Sequence, residues 1–165
     1  NSPHSSTALT YLNIQYMSTL DMIEAFLRRH KHKASQDKRP FLKHLRLDGK
    51  TPQSERLKLV SRFKCPPEQG GAHCFLITTG AGGVGLNLPA ASRVVLFDSS
   101  WNPATDAQAA VRAFRMGQTK PVFVYRLVSY GAMEGHVYDR SVSKAQLARQ
   151  VCFPRGHAQS LKPSR

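Results

Sequence analysis

A chain of 165 residues is the length of one domain and leaves no room for two full-sized lobes. Hydrophobic residues make up 41%, and 11 Gly with 10 Pro are close to average usage, so a core can form and neither a collagen-like nor a wholly disordered chain fits. The 24 Lys+Arg against 10 Asp+Glu give a net charge of +14 and a pI near 10.3, a balance that favours a polyanionic partner, nucleic acid first and an anionic membrane surface second.

No apolar run approaches the roughly 18 residues of a spanning helix and no signal peptide is visible, which points to a soluble protein without a membrane partner. Cys65, Cys74 and Cys152 are odd in number and lack CxxC spacing, so neither a disulfide framework nor a zinc site is expected; a reducing compartment, cytosol or nucleus, suits them. His30, His32 and His44 have no cysteine at ligand spacing, and no metal site is expected.

Residues 1–8 and 154–165 are small, polar and basic without periodicity, and are expected to be disordered ends around a domain at 9–153. The start at Asn1 rather than Met suggests a fragment. A weak strand is expected over 9–16. A helix follows from about Thr19 to His30, with Ser18 and Asp21 as its capping pair and Leu20, Ile23 and Leu27 on one apolar face.

Segment 28–46 carries Arg28, Arg29, Lys31, Lys33, Lys38, Arg39, Lys43 and Arg46 against Asp37 alone. It reads either as a nucleic-acid or import patch or, more simply, as a solvated loop. Leu45 and Leu47 alternate with His44 and Arg46 as in a half-buried strand. Thr51-Pro52 opens a second helix, with Leu57, Val60 and Phe63 inward.

Residues 73–79 and 93–98 are short apolar runs of the kind that form buried parallel strands. Asn102-Pro103 starts a third helix with Ala107, Val111 and Phe114 inward. A strand at 121–128 and a helix from about Met133 to Gln150 complete the alternation, which specifies an α/β fold with a mainly parallel sheet.

Two glycine patterns mislead. Gly80-Ala-Gly82-Gly83-Val-Gly85 matches the GxGxxG dinucleotide fingerprint and follows a strand. Only Leu86 to Arg93 separate it from the next strand, with Pro89 between, and a helical crossover needs about a dozen residues. Gly49-Lys50-Thr51 mimics the end of a P-loop, but His44 stands where that loop needs its first glycine. With no Asp-Glu pair closing an apolar strand, the chain alone has no site for a magnesium-bound nucleotide.

The chemistry lies in residues 106–118. Arg112 and Arg115 are three apart and Gln108 precedes Arg112 by one turn, so a continuous helix sets all three on one face. Two guanidiniums and an amide suit the oxygens of a transferring phosphoryl group. Spacing alone favours the plainer reading, two surface arginines in helix salt bridges.

Leu47-Asp48-Gly49-Lys50-Thr51, the run Ile77 to Leu88, Val94 to Pro103, Gln108-x3-Arg112-x2-Arg115-x-Gly117-Gln118 and Val124-Tyr125-Arg126-Leu127 occur in that order. Together they resemble the second RecA-like lobe of the switch/sucrose-non-fermenting ATPases, helicase-superfamily-two motors that translocate on duplex DNA. The resemblance covers about residues 11–150, and Tyr138-Asp139-Arg140 with Cys65–Ala72 look most like the ATRX-like and recombination-translocase branch.

The resemblance implies a RecA-like three-layer sandwich, helices on both faces and no P-loop. It implies Arg115 as an arginine finger, Arg112 as its neighbour and Gln108 as part of the same sensor, all reaching ATP on a first lobe that also holds Mg2+. Gly82, Gly83, Gly85 and Asn87 match the glycine-rich motif beside the nucleotide. Gly80 stands where the family usually carries Lys or Arg, and Thr10 to Gln15 keep only the final glutamine of the first motif.

For DNA the resemblance nominates Gln15, Asp48, Gly49, Thr51, Thr78, Thr79 and Trp101, contacts that grip backbone without reading sequence. The function implied is the C-terminal lobe of a nuclear, ATP-dependent duplex-DNA translocase or chromatin remodeller acting on DNA or nucleosomes. The competing reading is a binding or scaffold module that kept the fold and lost the motor.

Overall fold

The computed structural model describes residues 8–36, 42–82, 85–98 and 100–152. Apart from Ala8, the ends expected to be disordered lie outside these residues. The strands are β1 (Thr10–Ile14), β2 (His44–Leu47), β3 (Cys74–Thr78), β4 (Arg93–Leu96) and β5 (Phe123–Arg126). The helices are α1 (Met17–Gln36), α2 (Gln53–Lys64), the short α3 (Thr79–Gly82), α4 (Pro103–Val111) and α5 (Met133–Cys152), with a 3-10 turn at Pro67–Gln69.

The strands form one sheet in the order β2-β3-β1-β4-β5, every neighbouring pair parallel. This is the expected RecA-like sandwich. Alternation along each strand sends side chains to two cores. Tyr11, Leu45, Leu47, Phe75, Ile77, Val94 and Leu96 meet α2 and α4, where Phe63 packs on Phe75 with ring centroids 5.2 Å apart. Ile14, Cys74 and Leu76, with Leu12 and Phe97, meet Leu20, Ile23 and Leu27 of α1. Helix α5 packs against α4.

Local chemistry explains where the elements begin and end. Helix α1 starts two residues earlier than Ser18 could cap it. Its leading turn is tied instead by Asp98, whose Oδ2 accepts the backbone N–H groups of Gln15 (2.9 Å) and Tyr16 (3.4 Å) from across the sheet. The helix runs on to Gln36, so much of the basic segment is helical rather than loop. Part of that segment is also committed internally: Arg28 pairs with Glu24 and Lys43 donates to the Pro67 carbonyl.

Pro52 is the residue before α2, one position outside the expected start, and Cys65 ends the helix in the extended conformation that the following Pro66 demands. Leu57, expected inward, is 71% exposed; Leu59 takes that place beside Val60 and Phe63. Asn102 caps α4 by accepting the Ala104 N–H at 3.1 Å. The inward face of α4 is Asp106 and Ala109, continued by Ala113, not Ala107, Val111 and Phe114, the last being 73% exposed. The apolar periodicity of so short a helix is ambiguous, and small residues let it approach the sheet closely.

Arg46 locks the turn after β2. Its guanidinium contacts Asp21 (2.7 Å), Glu24 (2.6 Å) and Asp48 (2.9 Å), joining α1 to the strand end. Burial raises Glu24 and Asp48, but the hydrogen bonds they accept outweigh it and hold both below the ordinary carboxylate range. Carboxylates depressed in the folded state contribute stability that is present above their unfolded pKa of about 4 and lost as pH falls through the folded values. Arg46→Met is expected to cost about 1–3 kcal/mol at pH 7. Urea titrations followed by circular dichroism are expected to show its deficit relative to wild type shrinking as pH falls from about 5 to 3.

Candidate functional site

The carboxyl ends of all five strands lie on one edge, where ligands of open parallel sheets bind. An open cleft of about 540 Å³ along α4 is lined by Gly85, Ala104, Ala107, Gln108, Val111, Arg112 and Arg115. Gly85, Gln108, Arg112 and Arg115 thus surround one space. They do so without the continuous helix the spacing suggested. Helix α4 ends at Val111; Arg112 is its last, right-handed cap residue and Arg115 lies beyond it.

Arg112 differs from its neighbours in being 8% exposed. Its guanidinium packs on Gly82, where an added Cβ would lie 3.6 Å from its Nε. No carboxylate pairs with it among the described residues, although buried charges are normally paired. Arg115 and Gln108 are exposed. Backbone bonds hold the site: the Leu88 N–H donates to the Arg112 carbonyl at 3.0 Å, and the Gln118 N–H to that of Arg115 at 3.0 Å. The Gln118 amide donates to the carbonyls of Ala91 (2.7 Å) and Ala113 (3.3 Å) and accepts the Lys120 N–H (2.9 Å).

Asp106, 3% exposed, ties α4 to β5 through Arg126 at 3.2 Å. Burial dominates and raises its pKa, only partly opposed by Arg126, whose guanidinium also stacks over Tyr138 of α5 at 5.5 Å. Asn87 is exposed and does not line the cleft; Gly83 lies outside the described residues. No carboxylate among the described residues lines the cleft.

The other nominated residues follow the carboxyl ends of β1 to β4, but in different states. Gly49 and Trp101 are exposed and Gln15 is partly so. The Asp48 carboxylate is turned inward, accepting from Arg46, the Lys50 N–H (2.9 Å) and the Thr51 hydroxyl (3.3 Å). The Thr51 hydroxyl in turn accepts the Asp48 N–H at 3.0 Å. Asp48 and Thr51 therefore shape the turn, an Asx-type arrangement, rather than presenting free oxygens. Thr78 is buried. Thr79 partners a side chain that the sequence reading passed over, Asn13, whose Nδ2 donates to the Thr79 Oγ1 at 3.1 Å. A polar residue in the middle of an apolar strand was the available signal.

The chain belongs to the helicase conserved C-terminal domain family, which it matches over residues 5–117. It is the C-terminal RecA-like lobe of switch/sucrose-non-fermenting type that the motif order implied. Protein CHROMATIN REMODELING 20 of Arabidopsis thaliana is 48% identical over 141 residues, covering 83% of this chain and 9% of the relative. Transcriptional regulator ATRX of Homo sapiens is 40% identical over 149 residues, covering 83% and 6%. Helicase ARIP4 of Homo sapiens is 41% identical over 145 residues, covering 83% and 10%. The chain therefore spans a tenth or less of these relatives. The C-terminal part of the Fun30 ATPase domain superposes with a TM-score of 0.69 at 33% identity, over 81% of this chain and 39% of that one.

Glycine geometry around the cleft is open to direct test. Gly85 has φ +58°, a left-handed conformation, whereas a Cβ on Gly80 meets nothing within 4 Å. Gly85→Val is expected to lose about 1–2 kcal/mol, and Gly80→Lys to stay within about 0.5 kcal/mol of wild type, in denaturant titrations of this chain.

Proposed function

We propose that this lobe is half of a DNA-dependent ATPase. ATP is held by a first RecA-like lobe elsewhere in the polypeptide, and closure brings Arg112 and Arg115 onto its β- and γ-phosphates. The observation that carries the reading is Arg112: a buried guanidinium with no acidic partner among the described residues, opening on a cleft that also holds Arg115 and Gln108. A buried unpaired charge is costly, and a polyphosphate supplies the missing counter-charge.

During hydrolysis water attacks the γ-phosphorus and the bond to the β–γ bridging oxygen breaks. Negative charge redistributes over the phosphate oxygens, where Arg115 acts as the finger, Arg112 neutralises from beside it and Gln108 orients. Gly82 admits the Arg112 side chain, and Gly85 forms the backbone next to the nucleotide. Since no carboxylate among the described residues lines the cleft, the Mg2+ ligands are assigned to the first lobe; Mg2+ supplies charge neutralisation there.

Duplex DNA lies along the carboxyl edge of the sheet, on Gln15, the turn from Asp48 to Thr51, Thr79 and Trp101, while the buried Thr78 serves as support. Asp48 takes part by ordering the turn so that Gly49 and Lys50 face phosphate. Chromatin remodelling in the names of relatives supports nucleosomal DNA as the partner and the nucleus as the location. No helix among the described residues is long and apolar enough to cross a membrane.

The test uses the full-length protein. Arg115→Ala is expected to lower DNA-stimulated ATP hydrolysis by about 10³-fold or more, with Arg112→Ala also strongly impaired. Wild-type DNA affinity is expected to fall steeply with salt, as phosphate contacts require. Hydrolysis by Arg115→Ala within about twofold of wild type would overturn the finger assignment. Salt-dependent binding without any hydrolysis would establish the non-catalytic binding module instead.

A further inference from the structure

A line of buried polar groups runs through the centre of the sheet. Tyr11 is fully buried and Asn13 is 4% exposed, both on β1, and Asn13 is flanked in register by Ile77 and Leu96. The Tyr11 hydroxyl donates to Asn13 Oδ1 at 2.9 Å, Asn13 Nδ2 donates to Thr79 Oγ1 at 3.1 Å, and the Thr79 hydroxyl donates to the Ile14 carbonyl at 3.3 Å. The three bonds run head to tail, an order in which each bond polarises the next.

The line reaches Arg112 by geometry at its Thr79 end, through α3, and at its Tyr11 end through the field of the cation. At one end, the positive charge of Arg112 acts on the Tyr11 phenol, opposing the upward shift that burial imposes on it. At the other, Thr79 opens α3, whose Gly82 is packed on the Arg112 guanidinium. Thr79 is therefore joined to Arg112 through the short helix α3 and to Asn13 and Tyr11 through hydrogen bonds. Polar groups in an apolar strand are costly unless satisfied, and an apolar pair of the same shape would pack there without that cost.

We propose that Tyr11 and Asn13 are positioning residues that couple occupation of the DNA edge to the placement of Arg112 for ATP hydrolysis. The inference rests on the function proposed above. A phosphate oxygen arriving at Thr79 competes with the Ile14 carbonyl for the hydroxyl proton, while Thr79 Oγ1 goes on accepting from Asn13. Redirecting that one proton shifts Thr79 at the head of α3, which Asn13 and Tyr11 hold in place, and with it the Gly82 surface on which the Arg112 guanidinium packs. Because coupling is reciprocal, nucleotide at Arg112 alters affinity at the DNA edge by the same factor.

The experiment compares Asn13→Leu, Tyr11→Phe and the double variant in the full-length protein, each checked for folding by thermal melting. The rates of ATP hydrolysis with and without saturating duplex DNA are the primary readout, and DNA affinity with and without a non-hydrolysable ATP analogue is the second. Each single variant is expected to cut DNA stimulation at least fivefold, with DNA-free hydrolysis within twofold of wild type. The double variant is expected to be no worse than Asn13→Leu, because both act on one line. The nucleotide dependence of DNA affinity should shrink by a similar factor.

Stimulation within twofold of wild type in folded variants would overturn the coupling, as would a uniform loss of both rates. Should Asn13→Leu fail to fold, Tyr11→Phe, which removes a single hydroxyl, decides the outcome. Failure of the functional reading looks different: wild type would then show no DNA-stimulated hydrolysis, or Arg115→Ala would leave it unaltered.

Discussion

Parallel strands must all leave the sheet on the same side, and that constraint governs where everything else in this lobe is placed. Each strand here ends on one edge, and the segments that follow deliver the turn after β2, the head of the glycine-rich segment after β3 and the start of α4 to it, while the arginine segment at the far end of α4 is tied back to Leu88 and Ala91 ahead of β4. Helices on both faces are the other half of the same constraint, since a parallel strand cannot be reached without a crossover. The lobe has no need of special loops to assemble its edge. It needs the strands to be in register and the segments at their ends to be held still.

Holding them still is the work of long-range polar contacts. Asp98, from the end of β4, fixes the turn into α1; Arg46 gathers carboxylates from α1 and from its own strand end; Gln118 fastens the segment that carries Arg115 to backbone carbonyls. Against this background Arg112 stands out, because it is held by packing and backbone alone and keeps its charge uncompensated. Among the described residues Arg112 is a buried cation without a carboxylate partner, left to be answered by something outside the lobe.

Much of this was legible in the sequence. Short apolar runs bounded by turn residues gave the strands, and the lack of room between Gly85 and Val94 ruled out a dinucleotide crossover, in keeping with the irregular segment that connects them. Asn102-Pro103 marked a helix start because its chemistry is local. What escaped was non-local. Ser18 lost the role of cap to an aspartate more than eighty residues away. The inward face of α4 was misassigned because large apolar residues looked better suited to a core than alanines, although close approach to a sheet favours small ones. Arg112 and Arg115 meet at one cleft through a helix end and a turn, a geometry that residue spacing does not encode. Asp48 and Thr51 could be read as ligand-facing only while their partners were unknown.

The position of β1 has a consequence for how the lobe comes into being. The first strand in the chain is the middle strand of the sheet, pairing Thr10 with Cys74 on one side and with Arg93 on the other. A nascent chain leaving the ribosome therefore carries Tyr11, Leu12 and Ile14 without either partner until most of the domain has been made. Such non-local pairing slows folding and leaves a sticky strand exposed meanwhile. Helix α1 covers one side of β1 from adjacent sequence and is available early. Its outer surface mixes charged residues such as Asp21 and Arg28 with the exposed Met22 and Phe26, so the half-built pair stays adhesive until β3 and β4 arrive.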